Sequence, residues 1–179
     1  MQYPSTSVAR LIATFLTAAG YLPSQSEWRQ AYPTTPFGAW WGASMTHDDA
    51  NQRLVSFGGG NVGMTSNATR LWDGFTWQVA LTSTSPPART SAGLAYDAVR
   101  QRVVMFGGFS SSNSPLPDTW EWDGAAWLQI AATGPWARGN AAMGFDGARI
   151  VLFGGQAIAG AWLPFGDTWG FNGVSWQNL

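Results

Sequence analysis

The chain of 179 residues has no cysteine and a single histidine, His47. Without thiols there are no disulfides, thiolate metal sites or thiol nucleophiles. With one histidine as well, a zinc or copper site of ordinary composition cannot be assembled within one chain, so no cofactor is expected. The lack of cysteine leaves the redox compartment open. Charge is scarce too: charged residues make up 11% and the formal net charge is −1. The basic residues are scattered, so the electrostatic footprint of a nucleic-acid binder is missing. The apolar stretch near the N-terminus is too short for a membrane span, which takes about 20 apolar residues.

What is abundant is aromatic and turn-forming: 12 Trp, 10 Phe, 22 Gly and 10 Pro. That mixture argues for many short strands joined by tight turns. The length suits one ordinary domain with a real core.

Residues 1–24 stand apart. Val8, Leu11, Ile12, Phe15, Leu16 and Ala19 follow the i, i+3, i+4, i+7 pattern of an amphipathic helix. Ser5, Thr6 or Ser7 would cap it, and Gly20 with Pro23 would stop it. The same segment also reads as a secretory signal, with Arg10, a short apolar run and small residues before a cleavage point. The protein is secreted under the second reading and cytoplasmic under the first.

The rest of the chain repeats itself. Phe-Gly-Gly begins at Phe57, Phe106 and Phe153, and a tryptophan after a turn stands at Trp77, Trp127 and Trp176. "PPARTSAGLAYD" matches "PWARGNAAMGFD" 49 residues later. Independent markers agreeing on one period identify a true repeat. Each copy reads as four short strands, in the second copy "SAGLAYD", "RVVMFGG", "DTWEWDG" and "AWLQI". The copies run over about 40–80, 90–131 and 139–179. Asp73-Gly74, Asp123-Gly124 and Asn172-Gly173 favour two-residue type I′ hairpins. That turn would set Trp122 opposite Ala125, Trp120 opposite Trp127, Trp169 opposite Trp176 and Arg70 opposite Trp77.

Catalytic chemistry is hard to assemble from these residues. His47 occupies the slot that Tyr96 and Phe145 hold in the other copies, which is a packing position, and a general base also needs a partner. Asp48, aligned with Asp97 and Asp146, reads as a turn residue. "FGGGNVGM" is Gly-rich but follows a strand without opening a helix, so it lacks the context of a phosphate cradle. No catalytic and no metal-ligating residue is assigned, and the chain is expected not to be an enzyme.

Double glycine ending the second strand, an aromatic before the turn (Trp72, Trp122, Phe171) and tryptophan opening the fourth strand resemble the kelch repeat. The resemblance runs from about Trp28 to Leu179 and includes the "P-x-A-R" lead-ins ending in Arg89 and Arg138. It implies an all-β propeller segment over residues 25–179, with each repeat one four-stranded antiparallel blade. Two departures matter. The first copy has Trp40 where Arg89 and Arg138 stand. Trp28, 49 residues before Trp77, marks an orphan outer strand at 26–32 with no blade of its own. The copper chemistry of some kelch-related enzymes needs a cysteine and does not carry over.

Three blades fall short of the four to eight of closed propellers, and their end faces would be apolar and bare. The expectation is therefore either a fragment of a longer propeller or a homodimer whose two copies close a ring of six blades. The connections after Gly-Gly differ most between copies and would project from one face, where recognition is expected. Phe109, Trp162 and Phe165, with Trp40 and Trp136 near them, are the candidate ligand-binding residues. Arg89 and Arg138 read either as structural ties or as a polar ring for an acidic ligand. The expected function is a non-enzymatic binding module for a protein ligand; the alternatives are a carbohydrate-binding, lectin-like propeller, a sugar-modifying enzyme, or a truncated remnant without its own ligand.

Overall fold

The structure is a computed structural model that describes residues 39–130, 133–158 and 161–179. The expected N-terminal helix and the orphan strand at 26–32 lie outside the described residues. Among the described residues the secondary structure is all strand, with no helix, and so none long and apolar enough to cross a membrane.

Sheet I is built from β1 (Ser44–Asp48), β2 (Arg53–Phe57), β5 (Thr69–Trp72) and β6 (Trp77–Val79), with a small ribbon of β3 (Gly60–Asn61) and β4 (Met64–Thr65) beside it. Sheet II holds β7 (Gly93–Asp97), β8 (Arg102–Phe106), β9 (Thr119–Trp122) and β10 (Trp127–Ile130). Sheet III holds β11 (Ala142–Phe145), β12 (Ile150–Phe153), β15 (Thr168–Phe171) and β16 (Trp176–Asn178), with a ribbon of β13 (Gln156–Ile158) and β14 (Trp162–Pro164). Each four-stranded sheet is an antiparallel meander, a blade-like unit, and β1, β7 and β11 lie side by side.

Burial on both faces explains why β8 carries apolar residues at four consecutive positions, Val103 to Phe106, rather than at alternate ones. Along β8, Val103 and Met105 join one buried cluster with Val55, Phe57, Leu94 and Trp122, while Val104 and Phe106 join a second with Ile150, Leu152 and Phe171. A strand buried on both faces cannot afford the polar half of the usual alternation.

The hairpins correct the expected register. Trp122 pairs with Trp127, Phe171 with Trp176 and Trp72 with Trp77. The loop is therefore four residues long, and Trp120, Trp169 and Arg70 do not face these tryptophans. The reason lies in the first loop residue. A type I′ turn needs positive φ at both centres, but here only the glycines adopt it, with φ of 97° at Gly74, 104° at Gly124 and 96° at Gly173. The preceding Asp or Asn instead uses its side chain: Asp123 Oδ1 accepts from the backbone of Ala125 and Ala126, both at 2.8 Å, and Asp73 and Asn172 do the same. This Asx-type turn brings the flanking aromatics into contact, with ring centroids 5.4, 5.6 and 5.0 Å apart in sheets I, II and III.

Double glycine has an equally local cause. A Cβ on Gly58 would sit 2.3 Å from the Arg89 carbonyl oxygen, and one on Gly107 would sit 2.2 Å from that of Arg138. The lead-in of each sheet thus runs hard against the end of the previous sheet's second strand, and the next glycine donates to the same carbonyl (Gly59 N to Arg89 O, 3.0 Å; Gly108 N to Arg138 O, 2.9 Å).

Candidate functional site

The connections after Gly-Gly and the lead-in to sheet III surround a cavity of about 740 Å³, lined by Pro117, Pro135, Trp136, Ala157, Leu163 and Phe165, with Thr133, Gly134 and Ala137. Sheet II contributes Pro117 from the β8–β9 loop. The β13–β14 ribbon and the loop after it contribute Ala157, Leu163 and Phe165. Trp136 lies in the lead-in and is 77% exposed, with nothing in the repeat requiring an aromatic there. Among the described residues, the side-chain hydroxyl on the lining belongs to Thr133.

Five of the seven sequence candidates gather here. Trp136 and Phe165 line the cavity. Trp162 stands beside it on β14, 53% exposed and packed edge-on against Phe109 at 5.7 Å. Phe109 itself is buried, admitted because Gly139 has no side chain: a Cβ there would lie 2.3 Å from the Phe109 ring. Phe109 is thus the floor under Trp162. Arg138 lies beneath Phe165, its guanidinium 3.9 Å from the ring centroid, a cation–π contact that holds the ring in place.

Arg138 is 1% exposed and Arg89 is 0% exposed. Arg89 donates through Nη1 to Gly107 O (2.8 Å), through Nη1 and Nη2 to the two Asp118 oxygens (2.6 and 2.7 Å), and through Nε to Pro87 O (3.1 Å). Arg138 repeats the pattern on Gly154 O, Asp167 and Trp136 O. Trp120 and Trp169 each donate Nε1 to the same carboxylates at 2.7 Å. The Arg138 hydrogen bond draws the Asp167 carboxyl down to about 2. At Asp118 burial pushes the pKa up, but the bond and charge of Arg89 outweigh it and the net shift is downward. These guanidiniums are enclosed within their sheets rather than offered to solvent.

Trp40 is in a different place. It packs over Arg70, 4.5 Å from the guanidinium carbon, and Arg70 donates to Gly58 O at 2.8 Å. Gly58 corresponds to Gly107 and Gly154, so sheet I keeps the guanidinium-to-carbonyl bond but swaps its origin. Arginine has moved to the third strand, where the other sheets have Trp120 and Trp169, and tryptophan has moved to the lead-in. The carboxylate position has become Ala68. Desolvation lowers the Arg70 pKa.

His47 is exposed and pairs through Nδ1 with Asp49 Oδ1 at 2.5 Å. Among the described residues no group of three His, Cys, Asp or Glu side chains is placed to hold a metal ion. Sequence reasoning missed the part of Pro117, Pro135 and Ala157, whose convergence depends on the packing of sheet III on sheet II. The one available signal was the paired prolines of "SPLP" and "GPW".

The arrangement defines a class: an all-β protein of blade-like sheets with an apolar, aromatic-rimmed cavity on its loop side. No protein-family model matches the chain, and comparison with curated proteins gives no relative.

Proposed function

We propose that the protein is a non-enzymatic binding module of the kelch propeller type that takes an apolar segment of a protein partner into the cavity between sheets II and III. The observation that carries this reading is Trp136, a large aromatic left 77% exposed at the mouth of a cavity whose walls are proline, leucine and phenylalanine. Exposed aromatics over a preformed apolar cleft are the usual anchors of protein recognition. The kelch assignment is supported by the three four-stranded sheets and by the glycine pairs and turn-flanking aromatics that recur in each. Sugar recognition would also use an aromatic platform, but it needs polar side chains around the ring, and here the charged groups beneath Phe165 are committed to each other.

Selection of peptides from a random library on the immobilised protein, beside a glycan array, tests the reading. The expected result is a family of apolar or aromatic peptides whose affinity falls about 10- to 100-fold in Trp136→Ala. The thermal midpoint should be unchanged, because the side chain is largely in solvent. Glycan binding lost in the same variant would replace the protein ligand with a carbohydrate. Peptide binding indifferent to Trp136→Ala would refute the site.

A further inference from the structure

After each Gly-Gly the chain folds back through the same main-chain bond: Ser66 N to Gly59 O (2.8 Å) in sheet I, Leu116 N to Gly108 O (2.9 Å) in sheet II and Phe165 N to Gly155 O (2.9 Å) in sheet III. Three residues before that donor, sheets I and II have turn residues at positive φ, Gly63 (82°) and Asn113 (61°). Sheet III has Trp162, and it lies in a strand. Its ribbon therefore runs on for three pairs, Gln156 with Pro164, Ala157 with Leu163 and Ile158 with Trp162. All three residues of β14 are exposed.

Hydrogen-bonded pairs alternate along an antiparallel ladder. Because Phe165 bonds Gly155, the next such pair is Leu163 with Ala157. The amide and carbonyl of Trp162 and the carbonyl of Pro164 consequently point away from β13. The far edge of β13 is taken, since Gln156 and Gly139 exchange two bonds of 2.9 Å. Among the described residues β14 pairs with β13 alone. Its outer edge thus offers one donor and two acceptors, and Pro164 sits at the outward position that a strand can give to proline without breaking its own ladder. The side chains divide by face. Leu163 and its partner Ala157 line the cavity, Gln156 and Ile158 do not, and Trp162 packs on Phe109.

We infer that the partner protein binds as an extended segment that adds a third strand to this ribbon, beside β14. The inference rests on the protein-binding reading of the cavity and sets the conformation and pattern of the occupant. Unpaired main-chain groups along a strand edge are a template for another extended backbone. A helix spends its amides on itself, and a proline-rich segment lacks them. The residue opposite Trp162 gives its amide to the Trp162 carbonyl and receives the Trp162 amide on its own carbonyl. The residue opposite Pro164 gives its amide to the Pro164 carbonyl and receives nothing. The residue between them, opposite Leu163, sends its side chain over the cavity. No charged side chain lines that cavity among the described residues, so this residue is uncharged and apolar.

The tightest peptide selected from a random eight-residue library on the immobilised full chain is the probe. It is resynthesised with each amide N-methylated in turn, and separately with each side chain cut back to alanine. N-methylation is expected to weaken binding about 10-fold at two residues spaced two apart. Alanine at the residue between them is expected to cost about 10-fold through the cavity. On the protein, Trp162→Pro deletes the outward amide and is expected to bind about 10-fold more weakly than Trp162→Ala, which keeps it. Thermal melts check that both variants fold, and the N-methyl scan needs neither. A peptide that tolerates N-methylation throughout, or is sensitive at positions three or four apart, overturns strand addition and leaves the cavity reading standing. So does equal binding by folded Trp162→Pro and Trp162→Ala. A library that yields no peptide, or peptides indifferent to Trp136→Ala, removes the cavity reading and strand addition with it.

Discussion

Arg89 and Arg138 each tie two sheets with one residue. The backbone carbonyl takes the glycine amide of the sheet before, and the side chain reaches the carbonyl and carboxylate of its own sheet. Removing Arg89 strands the Asp118 carboxylate and the Gly107 carbonyl in a dry place. Arg89→Ala is therefore expected to destabilise by about 3–5 kcal/mol, measured by urea unfolding. The pair at Asp167 also predicts a pH dependence. A carboxyl whose folded pKa lies at about 2, below its ordinary 3.8, contributes stability that is complete above the ordinary value and lost as pH falls through the folded one. Stability should thus decline between about pH 4 and pH 2, with Asp118 acting in the same direction. Asp167→Asn should lower stability at neutral pH and flatten that decline. The structural tie was one of two readings open in the sequence, where the arginine recurs in the second and third copies. The exchange of Trp40 and Arg70 was not, because along the chain each is an isolated departure and only the fold sets the guanidinium over the indole.

At the level of the hairpin, four residues replaced the expected two because the Asx oxygen caps two amides, and only glycine then needs positive φ. Asn172 does in sheet III what aspartate does in the other two. Asp123→Asn is accordingly expected to change stability by less than about 0.5 kcal/mol. Gly124→Ala should cost about 1–2 kcal/mol, because φ of 104° is strained for alanine and the new Cβ would press on Asn51 Nδ2 at 3.2 Å. Thermal melts of the two variants compare them directly. Asp-Gly announces a turn, but loop length depends on whether the side chain or the backbone satisfies the amides.

For the molecule as a whole, sheet II is the keystone, since both of its faces are covered and every residue of β7 is buried. Amides of β7 and β8 should exchange slowest with deuterium, and those of β11, half of whose residues are exposed, faster. Each interlocking tryptophan should matter more than its area alone suggests. Trp176→Ala removes the Phe106 contact and the Thr119 bond together and is expected to cost about 3–5 kcal/mol, read by denaturant titration, with sheet III loosened first.

The repeat, the four strands per copy and the buried character of the central strands were decided locally, by glycine pairs, β-branched runs and turn residues whose spacing needs no partner. The aromatic candidates on the variable connections were visible for the same reason: the repeat had no use for them. Only the tertiary structure decided that Phe109 is a floor, that Arg89 and Arg138 are enclosed, and that prolines far apart in sequence share one cavity wall. Those outcomes depend on which surfaces meet when one sheet packs on the next, and burial is a property of the pair rather than of either strand.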